Sequence, residues 1–334
     1  MTRRTRLRRS ATVLGVCGAL VLSACVPPPG PGGSGPPNGT PGGSIACPVL
    51  PADNIWNTRV DTAPLDPSSA TYVATIGASA TMHADFGSGS WNGGPIGIPY
   101  VVVNAGQPGV SVSFSQPQES DPGPYPIPPN APVEGGANAG GDRHVLVVDN
   151  GSCRLYELYA AYPNGNGSWR AYAGAVFDLR SNALRPDTWT SADAAGFPIL
   201  PGLVRYDEVA AGVIPHAIRF TAPQTRDTHV WPATHDASSL TGGQYPPMGQ
   251  RFRLNAGFDV RGFAAQTQVI LQAMKTYGIV LADNGSSWFI SGAPDDRWNN
   301  DVLHELGRVP GSAFEAVDVR GLQVAAGSGQ ARQP

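Results

Sequence analysis

Residues 140–159 read GGDRHVLVVDNGSCRLYELY, and the fold reading starts there. Two β-rich runs flank Asn150-Gly151. Asn-Gly suits a type I′ turn, which needs positive φ at both central residues, so the stretch predicts a β-hairpin. With those two residues in the turn, Asp149 faces Ser152, Leu146 faces Leu155, His144 faces Glu157 and Asp142 faces Tyr159. Side chains alternate along a strand, so Asp142, His144, Leu146 and Val148 share a face with Cys153, Leu155, Glu157 and Tyr159. That face is apolar at the turn. Its far end gathers two acids, an imidazole and a phenol.

Such a group has a chemical use. Two carboxylates close to an imidazole push one another's pKa values apart, which supplies one acid and one base near neutral pH. The same group also fits an ordinary cross-strand ion pair, worth about 0.2–1 kcal/mol. Residues 116–141 lead directly into it. They form a long, proline-rich segment without helical or strand period, and loops of that length inside a domain are usually functional or disordered. Tyr125 and Ile127 among the prolines indicate a stiff, packed loop that covers the polar end of the hairpin.

The first residues read as a leader. Arg3, Arg4, Arg6, Arg8 and Arg9 precede an apolar run, 11–22, which is too short to span a bilayer as a stable helix. The run ends in Leu22-Ser23-Ala24-Cys25, which resembles the lipobox of bacterial lipoprotein signals. The resemblance covers residues 1–25 alone. It implies removal of residues 1–24, acylation of Cys25 and anchoring on the outer face of the cell membrane. Residues 25–44 are rich in Pro, Gly and Ser and read as a flexible tether. Residues 45–323 are expected to form a single globular domain, and 324–334 a flexible tail.

Five of the 22 basic residues lie in the leader and none of the 25 acids does, so the remainder carries 17 basic against 25 acidic residues, a formal charge of −8. That balance argues against nucleic acid and anionic lipid as main partners. Cys17 falls in the leader and Cys25 in the lipobox, which leaves Cys47 and Cys153 to pair in an oxidising compartment.

Along the body, short β-branched and aromatic runs dominate. Residues 98–103 and 110–114 read as a hairpin, and Asn284-Gly285 marks another between 279–283 and 286–290. Residues 169–179 extend the first hairpin as a meander. Helical spacing appears at 69–76, 262–277 and 298–308. The expected class is mainly β, an antiparallel sandwich or curved sheet with a few packed helices.

Asp178, at a strand end, and Asp193, in a loop before Gly196-Phe197-Pro198, are substitute carboxylates; Asp193 also fits an Asx-turn. Trp91 and Trp189 lie in Gly- or Ser-rich loops, where an indole face can stack on a sugar ring. With Tyr125 and His216 they complete the candidate substrate-binding set. No close histidine pair has metal-ligand spacing, and no phosphate loop or nucleophile elbow occurs, so neither a metal nor a cofactor is expected. The reading that follows is a surface-anchored glycoside hydrolase acting on a polysaccharide or glycan. Asp142 and Glu157 are its favoured pair, tuned by His144, with Tyr159 and the loop tryptophans positioning the sugar. A non-catalytic glycan- or protein-binding lipoprotein and a polysaccharide lyase are the alternatives.

Overall fold

The strand-forming runs assemble into two large sheets in the computed structural model, which describes residues 38–333. The first sheet runs, in spatial order, Thr40–Pro41, Tyr100–Val103, Val145–Asp149, Arg154–Tyr159 and Ala173–Asp178. The second runs Phe314–Val317, Arg251–Leu254, Ile279–Asn284, Ile218–Ala222, Phe289–Ser291 and His83–Asp85. A three-stranded sheet of Val112–Phe114, Trp169–Ala171 and Tyr162–Pro163 and a short Ser90–Trp91/Gly94–Pro95 hairpin complete the set. The fold is mainly β, and the described residues include four α-helices: α1 Ser69–Ile76, α2 Tyr206–Ala210, α3 Ala265–Thr276 and α4 Asn300–His304. Asn299 caps α4, accepting from the Asp301 and Val302 amides.

Both large sheets are mixed rather than purely antiparallel. Tyr100–Val103 runs parallel to Val145–Asp149, and Ile218–Ala222 parallel to Ile279–Asn284. Two expected hairpins therefore dissolve. Tyr100–Val103 pairs with Thr40–Pro41 and Val145–Asp149, while Val112–Phe114 joins the small sheet. Ile218–Ala222 inserts between Ile279–Asn284 and Phe289–Ser291. In both cases a distant strand offers a better apolar partner than the neighbour across the turn.

The central hairpin forms, with its register moved by two residues. Asp149 pairs with Arg154 and Leu146 with Glu157. The connection is longer than Asn150-Gly151, because Cys153 takes a positive φ of 54° and belongs to the turn. A shift of two preserves the faces, since the side-chain period is two. Leu146, Val148 and Leu155 face the main core, which continues into the second sheet. Val145, Val147 and Leu158 face a smaller core under Tyr125, Ile127 and Val133 of the long loop. The strand Val145–Asp149 is thus buried on both faces, which explains its unbroken apolar run.

The disulfide Cys47–Cys153 is present, with Cα atoms 5.5 Å apart. Order extends beyond the expected domain limits at both ends. Thr40 and Pro41 pair with Val102 and Val101, so the end of the tether is a strand of the first sheet. The expected tail is packed: Ile55 N donates to Gly329 O at 2.8 Å, Trp231 Nε1 donates to Ser328 O, and Ala331 is buried. The leader and Cys25 lie outside the described residues.

Candidate active site

The polar end of the central hairpin opens into a cleft of about 440 Å³. Asp142 lies just before, and Tyr159 at the end of, strands of the first sheet; Asp283 and Asn284 come from the second, Glu119 from the long loop and 190–194 from the segment between the sheets. Tyr172 stands at the rim, 47% exposed, its ring 5.8 Å from that of Tyr159.

Asp142 is positioned by backbone. Its carbonyl accepts from Ala160 N at 2.8 Å, which carries the hairpin ladder past the last regular pair. Next to it, Arg143 is buried and donates to the carbonyls of Ala137, Ala139 and Ala161. One guanidinium thereby ties the long loop to the hairpin end. It also stacks on the Tyr162 ring, 4.2 Å from its centroid.

Behind the cleft lies a row of charges. His144 Nδ1 is 2.6 Å from Glu134 Oε2 and Nε2 is 2.9 Å from Ala192 O. Both partners accept, so both ring nitrogens donate and the ring is an imidazolium. Burial alone would push its pKa down, yet the adjoining Glu134 carboxylate holds it up at about 9. Asp193 is 1% exposed; Oδ1 accepts from Ala195 N in the expected Asx-turn, and Oδ2 accepts from Arg219 Nε at 3.0 Å. Burial raises its pKa against the pull of Arg219. Arg219 also donates to Ser291 Oγ at 2.7 Å and lies 3.9 Å from Asp283 Oδ2.

Two cations therefore serve more than two acids. Glu134 holds His144 and Asp193 holds Arg219, which leaves Asp283 with a distant share of the guanidinium. Burial and the neighbouring Asp193 push Asp283 up to about 6. Its side chain is partly exposed, so this carboxyl reaches the cleft. Burial, with Asp142 and Asp283 close by, also raises the Tyr159 phenol.

Of the expected catalytic set, Asp142 and Tyr159 line the cleft, and His144 stands behind it. Glu157 does not reach it. Its side chain is fully buried, and its carboxylate accepts from Ile199 N and Leu200 N at 2.9–3.0 Å, capping a one-turn 3₁₀ segment, Leu200–Gly202. Burial raises it to about 7. Asp193 forms the cleft floor, locked to Arg219. Asp178 is exposed in a different crevice and accepts from Arg180 N.

The expected substrate-binding residues scatter. Tyr125 is fully buried in the small core, its hydroxyl donating to Asp121 O. His216 is buried against Glu208 and Ala217 O. Trp189 is half-buried with the Arg185 guanidinium 5.5 Å away. Trp91 is exposed on its own hairpin, away from this cleft. Sequence reasoning missed Glu134, Arg219 and above all Asp283, whose Asp-Asn-Gly context reads as turn chemistry. Among the described residues no group of three or more His, Cys, Asp or Glu side chains converges as a metal site.

Compared with protein families, curated proteins and solved structures, the chain gives no match.

Proposed function

We propose that the protein is a glycan-directed hydrolase whose working pair is Asp283 and Asp142. The observation that carries the reading is the Asp283 carboxyl, poised at about 6 on the cleft wall that also holds Asp142 and two tyrosines. Glycoside hydrolysis uses one protonated carboxyl to donate to the leaving oxygen and one carboxylate to act as nucleophile or base. Asp283 takes the first role because burial and Asp193 favour its protonated form. Asp142 takes the second. Tyr159 and Tyr172 offer aromatic faces to the sugar ring, and Asn284, Gln116 and Glu119 supply hydrogen-bonding groups around it. The cleft volume lies within the usual range for small-molecule sites, roughly 300–1,000 Å³.

A lyase requires a free base beside the acidic carbon of a uronate. His144 is committed at both nitrogens, which leaves Tyr159 and His235, whose Nδ1 donates to Ala194 O, for that step. The formal −8 charge of residues 25–334 further disfavours a polyanionic substrate. A non-catalytic binder would retain the tyrosines and use the acids only to hold hydroxyls.

The test is turnover on a panel of neutral oligosaccharides. Asp283→Asn and Asp142→Asn are each expected to lower kcat by about 10²-fold or more, with unaltered circular dichroism. Binding without turnover by the unmodified protein makes it a binder. Products carrying a conjugated double bond make it a lyase.

Export and acylation at Cys25 are proposed from the sequence alone. Among the described residues no helix is long and apolar enough to cross a membrane. Loss of acyl-chain labelling in Cys25→Ser, with release of the protein from cells, is the expected result.

A further inference from the structure

Trp91 is 72% exposed, although an indole is among the side chains whose burial stabilises a fold most. Folding does not account for its position. Nor is it a loose side chain on a mobile tip. It sits in the Ser90–Trp91/Gly94–Pro95 hairpin, whose turn residues Asn92 and Gly93 adopt φ of 50° and 90°. The return strand is seated against the long loop: a Cβ added to Gly94 would lie 1.9 Å from the Gly135 carbonyl carbon. On the approach to the hairpin, Asn300 spends both ends of its amide on Ser88, accepting from N at 2.9 Å and donating to O at 3.1 Å. The hairpin is a rigid mount that holds an indole outward.

Trp91 overhangs a pocket of about 300 Å³ that shares no lining residue with the cleft of Asp142 and Asp283. Its floor is Phe86 and Ile96, and besides Asn300, already bound to Ser88, its polar groups are the three side chains His83, Asp85 and His304. His83 rests on the Phe289 ring, centroids 4.3 Å apart. Among the described residues none of these three side chains makes a hydrogen bond within the protein, so all are available to a ligand. No arginine or lysine lines the pocket, which disfavours an anionic ligand.

We propose that this pocket is a second, non-catalytic binding site for a neutral sugar ring. A pyranose has one flat apolar face and a belt of hydroxyls. The indole takes the face, the Asp85 carboxylate accepts from hydroxyls, and the two imidazoles each bond a hydroxyl at the rim. The site holds a glycan chain apart from the cleft of Asp142 and Asp283 and does not depend on hydrolysis there.

The experiment titrates the full chain with neutral tri- to hexasaccharides, β-1,4-glucose and β-1,4-N-acetylglucosamine oligomers among them, following indole fluorescence and amide NMR shifts. Binding should shift the amides around Trp91, His83 and His304, weaken about tenfold or more in Trp91→Ala, and persist in Asp283→Asn. Asp85→Asn should also weaken it, with melting temperature unchanged. Binding that survives Trp91→Ala but disappears in Asp283→Asn belongs to the main cleft and overturns the proposal. So does the absence of binding by every oligomer.

Discussion

Arg219 grips Asp193 with two nitrogens, 3.0 and 2.8 Å from Oδ2. The guanidinium comes only to 3.9 Å from Asp283 and so neutralises the buried acid ahead of the cleft acid. Burial raises Asp283 first and the Asp193 charge adds to it; Asp193→Asn removes that second contribution and frees Arg219 to approach. The Asp283 pKa then falls from about 6 toward its ordinary 3.8. A general acid works only while protonated, so the basic limb of the kcat/KM profile should move to lower pH by about one unit or more. A uniform loss at every pH, without displacement of that limb, would make Asp193 a structural residue only. Asp283 also links pH to stability. Its contribution is full below 3.8 and lost as pH rises through about 6, and Asp283→Asn should flatten that slope.

His144 and Glu134 give a second pH signature, in stability. The folded pKa of His144, about 9, exceeds its ordinary 6.5. The stabilisation is therefore full below 6.5 and lost as pH rises through 9. Glu134→Gln leaves a buried imidazole without its counter-charge and should cost about 3 kcal/mol near pH 6. Burial then drives the His144 pKa down, so the histidine contribution in the variant rises with pH between about 5 and 7. Urea unfolding at pH 5.5, 7 and 9 measures both slopes. Equal slopes in the two proteins would refute the assignment.

The difference between what the sequence disclosed and what it hid is physical. The Asn150-Gly151 turn and the period-two faces are local, so the hairpin and its polar end were legible. Its register was not, because Cys153, held to Cys47, lengthens the turn. Helix α1 was found to the residue, since Ser69–Ile76 follows a clear turn and ends at Gly77. The parallel pairings were invisible, as each joins segments separated by tens of residues. For the same reason the cleft was half seen. Asp142 and Tyr159 lie on one hairpin, whereas Glu134, Asp193, Arg219 and Asp283 meet only through the packing of two sheets. Asp283 N-terminal to Asn-Gly looked fully explained, and it does bond its neighbour, Oδ1 accepting from Asn284 N at 2.7 Å.

Glu157 illustrates an acid whose charge pattern imitates catalysis. Its carboxylate accepts from two backbone amides in a fully buried site. Glu157→Ala orphans both donors and should cost about 2–5 kcal/mol. Glu157→Gln should cost about 1 kcal/mol at pH 8, because Oε1 alone already accepts from both amides. The glutamate's contribution is full below about 4.5 and lost as pH rises through 7, so the Gln variant removes that dependence. Turnover per folded molecule should be unchanged in both variants. Abolished turnover in a Gln variant of normal melting temperature would return Glu157 to the chemistry.

The Cys47–Cys153 bridge closes a span of 106 residues that contains two adjacent strands of the first sheet, Tyr100–Val103 and Val145–Asp149. In the chain-entropy account, a loop near that length restrains the unfolded state by about 4.7 kcal/mol. Cys153 lies at the turn end of the hairpin, whereas Asp142 and Tyr159 lie at the open end. Removal should therefore weaken the fold and leave the cleft intact. Reduction, or the double change Cys47→Ser with Cys153→Ser, is expected to lower the melting temperature by about 5–15 °C. At 20 °C the reduced protein should keep its ligand affinity within about twofold, because the cleft wall is held independently by Arg143, Arg219 and His144. A large loss of affinity before any loss of secondary structure would show that the bridge sets the geometry of the open end as well.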